Sequence, residues 1–176
     1  MSGGEVAEVA EAGEAVVVGV SGSLASLAAL RVGAEQARRG GRVLVAVLAW
    51  EPPEGEGVYL RHPDPAWARH WYVEARGRLD RAFDEVFGGS PRGVVVERRV
   101  VRGRPGRVLC DVAAVHADAL LVIGARSHRH RASRTHRYVH THAACAVLTV
   151  PAPRVPRGMR RTLRRMTPAD FALANH

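Results

Sequence analysis

Between Gly124 and Cys145 the chain reads GARSHRHRASRTHRYVHTHAAC, with arginines and histidines where a phosphate-cradling turn would carry glycines. Arg126, Arg129, Arg131 and Arg134 concentrate guanidinium groups, which pair with phosphate oxygens through two parallel hydrogen bonds. His136 and His140 are four apart and can share a helix face, as zinc-binding pairs do; no carboxylate accompanies them, and Cys145 is the nearest sulfur donor, so solvated or intersubunit histidines are the simpler reading. A histidine cluster of this kind would change charge between about pH 5 and 8. The other candidate is the short stretch GVSGS (19–23), where Ser21, Gly22 and Ser23 follow an apolar run. Asp111, His116 and Asp118 are scattered over one helix and the start of the next strand, and no nucleophile stands beside an obvious base. Cys110 and Cys145 form no CxxC pair and read as single buried thiols without a redox role.

The elements that must position these groups follow from periodicity. AVVVGV (15–20) is a β-branched run suited to a strand buried on both faces. Ser23 caps a helix with Leu27, Leu30, Ala34 and Ala37 at helical spacing, stopped by Gly40 and Gly41. RVLVAVLAW (42–50) is a second strand, and a loop rich in Pro and Gly runs from Glu51 to Asp64. Asp64 and Pro65 open a helix carrying Trp67, Trp71, Leu79, Phe83 and Val86. GVVVERRVV (93–101) is a third strand, followed by a helix in 104–117 with Val108, Val112 and Val115 on one stripe. ALLVIG (119–124) and CAVLTV (145–150) are the fourth and fifth strands, with a helix predicted over Thr135 to Ala144 between them. Strands alternating with helices predict a parallel sheet covered on both faces. The ligand crevice of such a sheet lies beyond the strands' carboxyl ends, where connections diverge, and that places GVSGS beside GARSH.

Composition bounds the rest. The 176 residues suit one domain of roughly 100–200 residues, and 47% apolar content suits a globular core. No uncharged apolar run approaches the ~18–20 residues that span a bilayer, and MSGGEVAEVAEAGEA has neither the basic start nor the apolar centre of a secretory signal; a cytoplasmic location without membrane contact is expected. The net charge of +9 rests on arginine alone, since the chain has no lysine. Glu5, Glu8, Glu11 and Glu14 make residues 1–14 an acidic tail, and 153–176 form a basic tail with one helical turn expected around Met159 to Met166. Tyr138 is the only aromatic interleaved with the arginine blocks, so nucleic-acid recognition by stacking is not expected.

Three pieces in register, VVVGVSGSLASLAALRVGAEQA, VVRGRPGRVLCDVAAVHADALLVIGARS and HAACAVLTVP, resemble the universal stress protein family over about residues 15–152. The resemblance implies a single doubly wound α/β domain with five parallel strands in the order 3-2-1-4-5. It also implies a homodimer paired through the fifth strand (145–150), which would remove an unpaired apolar edge. For a nucleotide site, the resemblance points to Val20, Ser21, Gly22 and Ser23 in the first turn and Val47 in the second strand, with Gly124, Arg126, Ser127, Ser133 and Arg134 in the second motif. Nucleotide-binding members have an aspartate where this chain has Ser21. They also have glycines where it has Ser127 and Ser133, and the loop here is about four residues shorter. A hydroxyl cannot replace a carboxylate, and serine reaches positive φ less readily than glycine. The expected protein is therefore a non-catalytic stress-linked regulatory or sensing module that needs no cofactor, with ATP binding lost or weak. The alternative is a sensor whose arginine loop holds an adenine nucleotide or another phosphorylated anion; polyanion binding by the basic loop and tail ranks below both. SGSLAS (21–26) is also similar to the SGGxDS loop of ATP pyrophosphatases, but Ala25 stands at the aspartate position and Ser23 at the second glycine, which argues against an adenylating enzyme.

Overall fold

The computed structural model describes residues 13–125 and 133–153. Both tails beyond those limits, with the helical turn expected near Met159, lie outside the described residues. In chain order the elements are β1 (Ala15–Gly19), α1 (Leu24–Gly40), β2 (Val43–Trp50), α2 (Glu56–Arg61), α3 (Pro65–Phe87), β3 (Val96–Arg102), α4 (Pro105–Ala114), β4 (Leu120–Ala125), α5 (Arg134–His142) and β5 (Ala146–Pro151). The sheet has the order β3-β2-β1-β4-β5 and every neighbouring pair is parallel. This is the predicted five-stranded α/β topology.

Local chemistry sets the helix limits. The Ser23 hydroxyl accepts the Ser26 amide at 3.3 Å, and Gly41 ends α1 in the left-handed region with φ 61°, a conformation glycine adopts without Cβ strain. Asp64 accepts the amides of Ala66 and Trp67 at 3.0 and 3.1 Å, and Pro65 occupies the first helical position, where its missing N–H costs no helical bond. Alternation along the strands then divides the core. Val16 and Val18 of β1 point to one face with Leu30 of α1 and Leu79 and Phe83 of α3, while Ala15 and Val17 point to the other with Leu109 of α4 and Val139 of α5. Burying each of the Val, Leu and Phe side chains among these contributes about 1.5–3 kcal/mol.

Several local expectations change. The loop from Glu51 to Asp64 contains the short helix α2, and β3 begins at Val96 rather than at residue 93. Val115 does not extend the α4 stripe: the helix ends at Ala114, and Val115 follows it, exposed. Trp67 has helical spacing but lies exposed, stacked on His70 with ring centroids 5.6 Å apart. No helix among the described residues is long and apolar enough to cross a membrane.

Candidate functional site

From β1 the chain runs through α1 to β2 on one side, and from β3 through α4 to β4 on the other, so the connections part between β1 and β4. There, at the carboxyl ends of the strands, lies a cavity of about 980 Å³. Its base is apolar, formed by Val20, Val47 and Ile123 among others. Its lining also carries hydroxyls from Ser21, Ser23 and Ser133, and from the buried Ser26.

The first turn is organised by its own serines. The Ser21 amide donates to Ser26 Oγ at 3.2 Å, Ser26 Oγ donates to the Ser23 carbonyl at 2.9 Å, and the Ser21 and Ser23 hydroxyls stand 3.1 Å apart. Gly22 takes φ 81°, which a side chain would resist, and the Val20 amide is tied to the Val47 carbonyl at 2.8 Å. At the end of β4, a Cβ built on Gly124 would stand 2.4 Å from the Ala25 carbonyl and 2.6 Å from the Ser26 nitrogen. This glycine lets β4 touch the first turn of α1, so its backbone is committed to packing as well as to the cavity wall.

Helix α5 supplies the remaining wall. Ser133 accepts the His136 amide at 3.2 Å and starts the helix. His136, Val139 and His140 then share the face toward the sheet, with Val139 fully buried. His140 Nε2 and His136 Nε2 lie 3.0 and 3.3 Å from the same atom, Thr149 Oγ1 of β5, and the two rings are 4.3 Å apart. Burial first, and the neighbouring His140 second, push the His136 pKa below its ordinary value. On another side of α5, Tyr138 stacks on His142 and presses against Gly106 of α4, where a Cβ would stand 2.9 Å from the Tyr138 Cβ.

Of the residues expected at the site, Val20, Ser21, Ser23, Val47, Gly124 and Ser133 line the cavity. Gly22 shapes the turn from outside the lining, and Arg134, exposed on α5, is not part of the wall. Arg126 and Ser127 lie outside the described residues. Sequence reasoning left His136, His140 and Thr149 out of the cavity. Their signal was present: an i, i+4 histidine pair precedes the only hydroxyl residue of β5. Among the described residues no group of three or more His, Cys, Asp or Glu comes together to hold a metal ion. Asp111 sits 3.6 Å from Arg107 on the exposed face of α4, and neither it, His116 nor Asp118 reaches the cavity. Burial raises the pKa of both Cys110 and Cys145, which keeps them as thiols.

Three comparisons bear on this arrangement. No curated protein matches the chain by sequence. A universal stress protein solved in complex with cAMP is 25% identical, with a TM-score of 0.51, covering 80% of this chain and 98% of that one. The Archaeoglobus fulgidus universal stress protein solved with dAMP is 23% identical, with a TM-score of 0.55 and coverage of 78% and 97%. An Arabidopsis thaliana family protein with AMP bound is 19% identical, with a TM-score of 0.51 and coverage of 80% and 92%. The model of the universal stress protein family matches residues 14–151, the span that holds the whole sheet and both walls of the cavity. By that match and by its strand order, this chain belongs to the universal stress protein family.

Proposed function

We propose that this chain is a non-catalytic sensing module whose cavity binds a small phosphorylated ligand the size of an adenosine monophosphate, with ATP binding lost or weak. The observation that carries this reading is the cavity itself. At about 980 Å³ it lies within the range of small-molecule sites, roughly 300–1,000 Å³, and its described lining contains no carboxylate to repel an anion. The relatives solved with cAMP, dAMP and AMP support a nucleotide of that size. Ser21 and the shortened loop weigh against a triphosphate, because they remove a carboxylate contact and length of chain around the phosphates. The non-catalytic part of the reading rests on the sequence, in which no nucleophile stands beside an obvious base.

The test is calorimetric titration of nucleotide-stripped full-length protein with AMP and ATP at near-physiological salt. Saturable AMP binding, tighter than that of ATP, is the expected result. Absence of heat with either nucleotide up to millimolar concentration refutes ligand binding, and turnover of ATP would refute the non-catalytic role.

The module is further proposed to pair with a second copy through β5. Along β5, Val147 and Leu148 are half-buried and one backbone edge has no neighbour within the sheet, whereas the opposite edge, β3, is charged at Glu97, Arg98, Arg99 and Arg102. Charged side chains protect an edge, and an apolar edge invites pairing. Sedimentation equilibrium should give the dimer mass, and Leu148→Arg should give the monomer.

A further inference from the structure

We infer that His136 and His140 form the phosphate subsite of this cavity and engage the phosphate as imidazolium ions, so that ligand binding takes up protons. This rests on the proposed phosphorylated ligand and assigns the residues that would hold it.

The geometry has three parts. Both rings line the cavity on one face of α5, their centroids 4.3 Å apart and their planes tilted by 45°. Both turn Nε2 to the Thr149 hydroxyl, which can receive two N–H donors on its two lone pairs while giving its own proton onward. That leaves Nδ1 of each ring with no protein partner among the described residues. When both rings are charged, each Nδ1–H and the Thr149 O–H are donors, a set matched to phosphate oxygens. With neutral rings, one ring nitrogen of each loses its proton and much of that donor set disappears.

The surroundings leave the charge of the described cavity wall to this pair, because no other ionisable side chain is part of it. On α5 itself, Arg134, Arg137 and His142 stand outside the wall. From α4, Arg107 and Asp111 pair with each other, and Cys110, like Cys145 before β5, stays a neutral thiol. Strands β4 and β5 and the first turn of α1 carry no ionisable residue. Arg126, His128, Arg129, His130 and Arg131 belong to the segment 126–132, outside the described residues. Without an anion, burial and the neighbouring His140 work against charge on His136; a bound phosphate reverses that balance.

The sign separates this subsite from a permanently cationic one. A phosphate monoester loses charge as pH falls toward its second pKa near 6, so arginines alone would bind it more weakly in acid. A histidine pair gains charge over the same interval and binds it more tightly.

The experiment is calorimetric titration of the full chain with AMP and with adenosine at pH 8, 7 and 6, in two buffers of different ionisation heat. Wild type is set beside a His136→Gln/His140→Gln double variant. AMP should bind about tenfold more tightly at pH 6 than at pH 8, taking up about one proton, while adenosine shows no change. The double variant should lose both the tightening and the proton uptake. If AMP affinity is flat or falls toward pH 6, or if the double variant keeps the wild-type dependence, the subsite is refuted while the ligand reading stands. If neither AMP nor adenosine binds at any pH, the ligand reading itself fails. Histidine proton NMR of wild type gives the same answer without a substitution: two histidine pKa values should rise when AMP is added, and unchanged values would refute the assignment.

Discussion

Gly124 at the end of β4 packs on the backbone of Ala25 in the first turn of α1, so closely that a Cβ on Gly124 would stand 2.4 Å from both the carbonyl carbon and oxygen of Ala25. Backbone cannot rotate aside as a side-chain tip can. Gly124→Ala should therefore destabilise the protein by about 1–3 kcal/mol, the usual cost of forcing an extra group into a packed site. It should also weaken nucleotide binding, since relief requires α1 and its serine turn to move away from β4. Urea unfolding and an AMP titration of the variant check both. A variant as stable as wild type would show that the contact relaxes freely.

Gly33 makes a second close approach: a Cβ added to it would stand 2.3 Å from Val18 Cγ2 at the centre of the sheet. In an exposed helix, Gly→Ala would gain about 1 kcal/mol. Here Gly33→Ala should instead cost about 1–2 kcal/mol, because Val18 is fully buried and its branched side chain is stiff. Val18→Ala opens a cavity of its own, yet the double variant should be more stable than the sum of the two singles. Chemical denaturation of all four proteins measures that coupling.

Asp80 joins α3 to β3 through Arg98, whose Nη1 lies 2.8 Å from it and whose guanidinium covers the Phe83 ring at 3.9 Å. Burial acts to raise the Asp80 pKa, but the hydrogen bond from Arg98 and the charge of Arg76 outweigh it and hold the carboxyl below its ordinary 3.8. A lowered carboxyl pKa stabilises the fold above the unfolded value, and that stability is lost as pH falls through the folded value. Asp80→Asn should cost up to about 1 kcal/mol at pH 7, and the difference from wild type should close below pH 3.8. Melting curves between pH 2.5 and 7 test this.

His136 gives the opposite end of the pH scale its own signature. Burial and His140 lower its folded pKa below 6.5, so the unfolded chain binds protons more readily in that interval. Its contribution to ligand-free stability is complete above pH 6.5 and is lost as pH falls through the folded value. His136→Gln should therefore flatten the decline in melting temperature between pH 7 and 5.5. An unchanged slope would place the responsible group elsewhere.

The sequence by itself determined the layers. Runs such as AVVVG and LLVIG are too short and too β-branched for buried helices, and Ser23, Asp64 and Gly41 mark helix ends by bonds made within a few residues. Strand order and the crevice between β1 and β4 followed from that alternation and from the family resemblance. Only the tertiary structure decided what each candidate side chain does there. Gly124 looked like a remnant of phosphate binding, and its contact with Ala25, 99 residues away in the chain, adds a packing role that local sequence cannot express. Arg134 looked like a site residue, but its place on the helix turns it away from the cavity, while His136 and His140, two and six positions on, line it and reach Thr149, His136 half-buried and His140 exposed. Their meeting with Thr149 needs both a helix phase and a strand register, and those are settled by packing Val139 into the core and pairing β5 with β4. Local sequence carries propensity, but the meeting of distant polar groups is fixed by how apolar faces pack.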